Sequence, residues 1–306
     1  LFLLVVLVSA CVVHVLTRAW RWKTLLGETG DDVAFVELVS AVAIGYMAVI
    51  LPGRVSEVLR PTLLARRTGV PLGTALASVA AERFVLDMPM IVLFGAVFLV
   101  LPPSSTGMRA TSNPAVLGAI QRSGALMLAL SLAGLASVVA IGRHRERAGA
   151  WIARWERDHH SALTRRLAAF ARSLLPGLAA FATVRGLTRL FAETLAIWGV
   201  IGLQTWAGVT ACGVAISPLA VLIIVPATAL GIAVPTPGGA GTYHFVMKTV
   251  LLELFGADPA SAVGAALICH AVPLLAMFAL GGWFVLRGGM SGVPLAAPVA
   301  PEEAAP

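Results

Sequence analysis

The chain alternates long apolar runs with short polar segments, a pattern that predicts several membrane crossings. The apolar runs lie at 1–16, 33–51, 74–101, 124–141, 190–211, 218–234, 243–255 and 261–286. A bilayer core about 30 Å thick requires roughly 20 apolar residues per helix, and several of these runs reach or approach that length. The pattern therefore predicts an all-α, polytopic helical membrane bundle.

The first run is interpreted as a membrane helix rather than a signal peptide, because no small-residue cleavage site follows it. We expect this helix to continue as far as Trp20 and Trp22, which are typical of a membrane–water interface. Arg18, Arg21 and Lys23 lie beside these tryptophans and are interpreted as marking the cytoplasmic side. Residues 17–32 are therefore interpreted as a basic loop on the cytoplasmic side.

The composition agrees with a membrane protein. Of the 306 residues, 58% are hydrophobic and 12% are charged, and the mean hydropathy is +0.91. Soluble domains contain about 25% charged residues, so a soluble globular protein is excluded. Cys11 and Cys269 lie in apolar runs and Cys212 directly follows one, so the three cysteines offer neither a disulfide framework nor a zinc-binding spacing. We expect no metal and no cofactor.

The formal net charge of +7 is concentrated in the segment 142–186, which carries nine arginines and three acidic residues. An arginine excess in a loop indicates the cytoplasmic side and contact with anionic lipid, so no nucleic-acid partner is expected. Within this segment, Leu163, Leu167 and Phe170 recur at helical spacing, which predicts an amphipathic surface helix over 162–175. We expect an integral protein of the bacterial cytoplasmic membrane.

The sequence predicts a single integral membrane domain over residues 1–286. This domain is divided into a first half at 1–141, the cytoplasmic basic loop at 142–186 and a second half at 187–286. The tail at 287–306 is rich in Gly, Pro and Ala and is expected to be disordered.

Two apolar runs contain breaks that predict re-entrant hairpins. Residues 17–32 and 54–67 are both basic, yet only the run 33–51 separates them. Both segments can lie on the same side of the membrane if the run enters the bilayer, breaks at Pro52-Gly53 and returns. An ordinary proline kink or an extramembrane loop is the alternative.

The second break is the sequence Pro235-Thr236-Pro237-Gly238-Gly239-Ala240-Gly241, which separates the runs 218–234 and 243–255. The second of these runs is too short to span a bilayer, and the hairpin is predicted to enter from the opposite side. Two broken segments of opposite orientation are typical of an inverted-repeat transporter, in which the breaks line the binding site. The same two alternatives apply to this break.

Charged residues follow the first break at regular spacing. Arg54, Glu57 and Arg60 are three residues apart, which places them on one face of the returning helix. A charged face so close to a membrane break requires water or protein around it.

Three more charges, Glu82, Arg83 and Asp87, interrupt the run 74–101. A charge at the bilayer centre costs about 2.5–3.5 kcal/mol on insertion scales, so such residues face the bundle interior and are paired or functional. One interpretation is that internal ion pairs hold the helices together. The other is that some arginines bind an anionic headgroup, since the planar guanidinium gives phosphate two parallel hydrogen bonds.

The glycines of the second break, Gly238, Gly239 and Gly241, allow backbone amides to approach a ligand, and the next half-helix offers free N–H groups to an anion. Tyr243 and His244 open that half-helix. His244 is interpreted either as a neutral hydrogen-bonding residue or as part of a proton relay. We predict that the charged residues and this loop line one water-filled cavity.

Three motifs together resemble the lysylphosphatidylglycerol synthase transmembrane region, a family often called flippase-like integral membrane proteins. The motifs are the stretch from Leu51 to Arg60, Glu82-Arg83 with Asp87 following, and Pro237-Gly238-Gly239-Ala240-Gly241. The resemblance implies a lipid-handling domain associated with moving aminoacylated phospholipids or related lipid-linked molecules between leaflets. His244 lies near a position where many members carry glutamate, and Ser56 stands where the family often has glycine.

The leading hypothesis is a flippase-like protein that binds and translocates an anionic phospholipid or a polyprenyl-linked lipid. A membrane enzyme acting on a lipid-linked substrate is one alternative, but the sequence has no H-E-x-x-H, G-x-S-x-G or Walker motif. A non-catalytic partner subunit of a lipid or glycan pathway is the other. We therefore expect a protein that is not an enzyme.

Overall fold

The computed structural model describes residues 1–51, 55–101, 105, 107, 132–134, 136–233 and 236–289. All regular structure in these residues is helical, and they contain no strand. Residues 132–134 and 136–143 are helical, and the remaining α-helices are α1 (Phe2–Leu26), α2 (Phe35–Met47), α3 (Val55–Thr68), α4 (Leu72–Ala81), α5 (Met88–Val100), α6 (Arg145–Asp158), α7 (Ala162–Leu174), α8 (Val184–Ala211), α9 (Val221–Ala233), α10 (Thr242–Phe255) and α11 (Pro259–Phe284).

Three of the described helical segments are long and apolar enough to cross a membrane, namely Phe2–Gly30, Val184–Ala211 and Pro259–Gly288. They correspond to α8 and to α1 and α11 with short helical extensions. The prediction of an all-helical membrane protein is confirmed.

Helix α1 corrects one sequence interpretation. It continues to Leu26, so the first ten residues of the predicted basic loop 17–32 are helical. Arg18 and Arg21 are buried on this helix against other parts of the protein, with 4% and 0% of their surfaces exposed. The loop assignment was wrong because it took two arginines after an apolar run for loop residues, whereas their partners lie inside the bundle. The cytoplasmic side of this segment stays a prediction.

Helices α2 and α3 pack against each other as an antiparallel pair. A short 3-10 turn, Ala48–Ile50, and residues 52–54, which lie outside the described residues, connect them. At the end of the pair away from this connection, Glu37 forms an ion pair with Arg67. Nearer the turn, a Cβ atom on Gly45 would lie 2.9 Å from the Cβ atom of Arg60, so this close approach requires glycine.

Helices α9 and α10 form a second packed pair around the glycine-rich break. Their lengths, 13 and 14 residues, equal those of α2 and α3. At 1.5 Å per residue such helices reach about 20 Å, which is less than the thickness of a bilayer core. This length fits the predicted re-entrant hairpins, whose membrane placement and opposite orientation stay predictions.

The two breaks are adjacent in space. The 3-10 turn Ala48–Ile50 packs against the 3-10 turn Pro237–Gly239, with Cα atoms within 8 Å of each other. These turns are almost 190 residues apart in the sequence. The discontinuities of the two helix pairs therefore lie next to each other.

Buried apolar residues among those described form four clusters, and the two largest lie one in each half of the chain. The first joins α1, α2, α3 and α4 around residues such as Trp22, Ile44 and Leu63. The second joins α8, α9, α10 and α11 around residues such as Ile224 and Met247. Extensive packing of α1 against α8 connects the two halves.

The arginine-rich segment 142–186 contains a pair of surface helices, α6 and α7, which pack against each other. Ser161 caps α7 by accepting a hydrogen bond from the Thr164 backbone amide, at 3.0 Å. This confirms the helix predicted over 162–175. At the C-terminus a π-helical turn ends at Gly289, and residues 290–306 of the predicted tail lie outside the described residues.

Candidate functional site

A network of charged side chains lies inside the bundle where α1, α3, α8 and the segment between α4 and α5 come together. We call it the arginine–carboxylate network. Its members are Arg18, Arg21, Glu57, Arg60, Glu82, Arg83 and Asp87.

Glu82 is fully buried and lies at the centre of the network. Its Oε1 atom accepts a hydrogen bond from Arg18 Nη1 at 2.6 Å, and its Oε2 atom accepts one from Arg60 Nη2 at 2.5 Å. Arg21 Nη2 lies 3.4 Å from Oε1. Three guanidinium groups therefore surround one carboxylate, which offsets the cost of burying its charge.

Asp87 is the second buried carboxylate. Arg18 Nη1 and Arg21 Nη2 each donate to it at 2.9 Å, and Arg83 Nη1 donates at 3.3 Å. The indole nitrogen of Trp198 on α8 adds a fourth donor at 3.3 Å. Asp87 thus connects α1, α8 and the region of Arg83.

A π-helical turn, Glu82–Asp87, links α4 to α5 and positions both acidic residues. In an α-helix, residues five apart point about 140° away from each other. A π-helical turn is wider because its hydrogen bonds run from i to i+5, and it brings positions 82 and 87 nearer to one side. Such turns occur often at functional sites.

Arg83 and Glu57 form the solvent-accessible end of the network, which we call its open end. Arg83 Nε lies 3.0 Å from Glu57 Oε1, and the two side chains are 30% and 27% exposed. The seven members comprise four guanidinium and three carboxylate groups, so together they carry one net positive charge. The excess charge lies on the guanidinium groups, which hydrogen-bond carboxylates here and are able to hydrogen-bond other oxyanions.

Aromatic and imidazole groups surround the arginines. The Arg60 guanidinium lies 4.2 Å from the centre of the Trp22 ring, a cation–π contact. Arg18 Nε donates to His14 Nε2 at 3.0 Å, an arrangement that requires a neutral imidazole accepting at this nitrogen. The ring of Tyr46, 5.9 Å from the Arg18 guanidinium, lies two residues before the turn Ala48–Ile50.

The glycine-rich break has a backbone that only glycine adopts readily. Gly238, Gly239 and Gly241 have φ angles of +62°, +73° and +85°. A Cβ atom on Gly238 or Gly241 would meet nothing within 4 Å, so conformation rather than crowding requires glycine at these two positions. The break and the start of α10 face an apolar groove of about 380 Å³. This groove is lined by Leu230, Gly231, Gly241, Thr242, Phe245 and Val246.

Two histidines and a tyrosine lie beside this break. His270 on α11 forms a 2.8 Å hydrogen bond between its Nε2 atom and the carbonyl oxygen of Gly238. Its ring centre lies 4.9 Å from that of Tyr243, stacked, and 4.7 Å from that of His244, edge to face. His244 Nδ1 accepts from the Gly241 amide at 3.3 Å, as expected for a hydrogen-bonding role. The proton-relay interpretation stays a prediction.

The sequence matches a known family over nearly its whole length. The match is to the family described as the lysylphosphatidylglycerol synthase TM region and covers residues 1–281. The chain belongs to this lysylphosphatidylglycerol synthase transmembrane-region family. No curated protein and no solved structure matches the chain.

Membership of the lysylphosphatidylglycerol synthase transmembrane-region family confirms the resemblance seen in the three motifs. The structure brings five of the predicted site residues into one network, namely Glu57, Arg60, Glu82, Arg83 and Asp87. Gly238, Gly239, Gly241, Tyr243 and His244 form a separate group around the second break. Arg54 lies outside the described residues. That both groups line one water-filled cavity stays a prediction.

Sequence reasoning missed three residues that the structure places in these two groups. Arg18 and Arg21 lie three residues apart on α1, a spacing that puts them on one helix face, but they were assigned to the membrane surface. His270 lies inside an apolar run, where a polar residue that faces protein is itself a signal of function. Among the described residues, no group of three His, Cys, Asp or Glu side chains is placed to hold a metal ion.

Proposed function

We propose that this protein binds an anionic lipid headgroup at the open end of the arginine–carboxylate network and moves the lipid between leaflets. The observation that carries the proposal is the net positive charge of the network, together with the partial exposure of Arg83 and Glu57. The lipid is an anionic phospholipid or a polyprenyl-linked lipid, and it leaves the protein chemically unchanged.

The chemistry of arginine supports an anionic headgroup. A phosphate group can replace the Glu57 carboxylate on Arg83 and accept two parallel hydrogen bonds from the planar guanidinium, which Glu57 contacts through Nε alone. The buried members Arg18, Arg21 and Arg60 hold Glu82 and Asp87, so they stabilise the site without leaving their partners. In this proposal Arg54 adds a second contact to the headgroup.

The contact between the two breaks supports a path for the headgroup. In the proposal, α2–α3 and α9–α10 are re-entrant hairpins of an inverted repeat, and their breaks meet near the bilayer midplane. The headgroup passes along the contact between the two breaks while the acyl chains stay in the hydrocarbon. Net movement is then downhill or driven by an ion gradient or a partner.

Reconstitution of the full chain in proteoliposomes tests the proposal. Transfer of fluorescent phosphatidylglycerol from the inner to the outer leaflet is compared with that of fluorescent phosphatidylcholine. Loss of a charged hydrogen bond is worth about 1.5–3 kcal/mol, so we expect Arg83→Gln to slow phosphatidylglycerol transfer roughly 10-fold or more. Arg83→Lys should give an intermediate rate, because lysine keeps the positive charge but cannot donate the two parallel hydrogen bonds of the planar guanidinium.

Arg189→Gln is the matched control, since Arg189 also forms an i, i+4 ion pair but lies exposed on α8. Its transfer rate should equal that of the unmodified protein. Undiminished transfer by a correctly folded Arg83→Gln protein would refute the proposal. Recovery of a chemically altered lipid would instead support the membrane enzyme.

A further inference from the structure

Helix α7 has its large apolar side chains on the outside of the protein. Leu163, Leu167 and Phe170 are 66%, 47% and 49% exposed. The residues of α7 that are buried are instead small, namely Thr164 and Ala168. A surface helix of a soluble protein turns its apolar stripe toward the core, so α7 is oriented in the opposite way.

The stripe is continuous along one face. Positions 163, 167 and 170 follow the i, i+4, i+7 spacing of a helix, which places them within about 60° of each other. Thr164 and Ala168 lie roughly 100° further around the helix axis. The same helix therefore packs on the protein with one face and presents an apolar face to its surroundings.

Contacts with the rest of the protein fix this orientation. The hydroxyl of Thr74 at the start of α4 donates to the carbonyl oxygen of Ser173 at 3.3 Å. A Cβ atom on Gly73 would lie 2.0 Å from the Ser173 hydroxyl oxygen, so the two helices touch closely at this end. Arg172 Nη1 forms a 2.5 Å ion pair with Glu156 on α6. The stripe is thus held outward by packing on two sides.

The charge around the stripe is positive. The nine arginines of segment 142–186 outnumber its three acidic residues by six, which is most of the net charge of the whole chain. Arg165 and Arg166 on α7 are both exposed, and Arg166 follows the stripe residue Leu163 by three positions. On the neighbouring helix α6, Trp151 is also exposed, and tryptophan is enriched at membrane interfaces.

We infer that α7 lies in the membrane–water interface with Leu163, Leu167 and Phe170 inserted among the lipids and Arg166, which borders the stripe, bound to an anionic headgroup. Apolar side chains next to an arginine match the surface of an anionic bilayer, in which the hydrocarbon lies beneath negatively charged headgroups. The spanning helices already hold the chain in the bilayer, so α7 reaches this surface without a separate binding step. The inference does not depend on lipid translocation.

Spin labelling of the full chain in nanodiscs tests the position of α7. Cys212, the only half-buried cysteine among the three, is replaced by serine, while the buried Cys11 and Cys269 are kept. A nitroxide is then attached at Leu167→Cys or, as the control, at Ala169→Cys, which is exposed on another face of α7. The nanodiscs contain phosphatidylcholine alone or an equimolar mixture with phosphatidylglycerol.

We expect the label at position 167 to collide often with oxygen and rarely with a water-soluble nickel complex, because the hydrocarbon concentrates oxygen and excludes the complex. The label at 169 should show the reverse. Adding phosphatidylglycerol should reduce nickel collisions at position 167, and Arg166→Gln should weaken that reduction, since each arginine near an anionic surface favours binding about fivefold. Lys248→Gln removes one charge outside the helix pair and should change nothing.

Three results would overturn the inference. The first is equal access of nickel to positions 167 and 169, which would leave the stripe in water. The second is protection of position 167 from both oxygen and nickel, which would place a protein partner or a second copy of the chain over the stripe. The third is an identical depth in both lipid mixtures, which would remove the role of the arginines.

Discussion

Arg60 Nη2 lies 2.5 Å from Glu82 Oε2, and neither side chain is more than 5% exposed. The pair joins α3 to the π-helical turn after α4. Its geometry explains how charged residues can lie inside an apolar bundle, because each buried charge has a partner of opposite sign within hydrogen-bonding distance.

Glu82→Gln should strongly destabilise the protein. Removing this carboxylate leaves the buried guanidinium groups of Arg18, Arg21 and Arg60 short of negative charge, and breaking a buried pair costs about 3–5 kcal/mol. Thermal unfolding of the detergent-solubilised protein measures the effect. Glu57→Gln is the control, since the partly exposed ion pair of Glu57 with Arg83 contributes at most about 1 kcal/mol to stability. Equal melting temperatures for the two variants would contradict the central position of Glu82.

Gly45→Ala should loosen the α2–α3 pair. The added methyl group would lie 2.9 Å from the Arg60 Cβ atom, and overpacking of this kind costs about 1–3 kcal/mol. Gly199→Ala on α8 is the matched control, because a Cβ atom there meets nothing within 4 Å. This control should be neutral or more stable by up to about 1 kcal/mol, as glycine weakens a helix. Chemical denaturation compares the two variants, and a stability loss confined to Gly199→Ala would refute the packing argument.

Accessibility labelling tests the re-entrant placement of α2 and α3. Val36 lies at the open end of the helix pair and Ile50 at its turn, and both are exposed in the structure. Cysteine at Val36 should react with an impermeant maleimide from one side of the membrane. Cysteine at Ile50 should not react from the opposite side, because helices of about 20 Å do not reach it. Labelling of Ile50 from that opposite side would show that the two helices cross the membrane completely.

The α6–α7 pair should loosen in acid. The side-chain hydrogen bond from Arg172 lowers the pKa of Glu156 below its usual 4.5. A carboxyl with a lowered pKa stabilises the folded state above its ordinary pKa, and this contribution is lost as the pH falls through the lowered value. Amide exchange of α6 and α7, corrected for intrinsic rates, should therefore accelerate below pH 4.5. In Glu156→Gln the acceleration should disappear, and its persistence would assign the effect to another group.

Much of the architecture follows from local sequence, whereas the partners within the network do not. The lengths of the apolar runs predict spanning helices, and the glycines at 238, 239 and 241 predict the second break, because both properties depend on neighbouring residues. The burial of Arg18 depends on Glu82 and Asp87, which are 64 and 69 residues away in the chain. No local pattern distinguishes an arginine with such partners from one at the membrane surface.

The π-helical turn could not be predicted from the sequence either, since α- and π-helical turns accept the same residues. Its effect on the site is large, because it fixes where Glu82 and Asp87 point. His270 is a similar case. A single histidine in an apolar run has no periodic signal, and its bond to Gly238 joins segments that are 32 residues apart.

The same turn makes the loss of one residue less disruptive here than in an ordinary helix. Because its hydrogen bonds run from i to i+5, the turn spreads one more residue over the same rotation, and Glu82 and Asp87 take the relative directions that positions four apart have in an α-helix. Deleting one of its six residues would restore ordinary α-helical pairing and leave α5 close to its present phase. Phe94, whose ring lies edge to face with Trp198, would then stay in the interface with α8, whereas a one-residue deletion within α5 ahead of Phe94 would rotate that ring by about 100°.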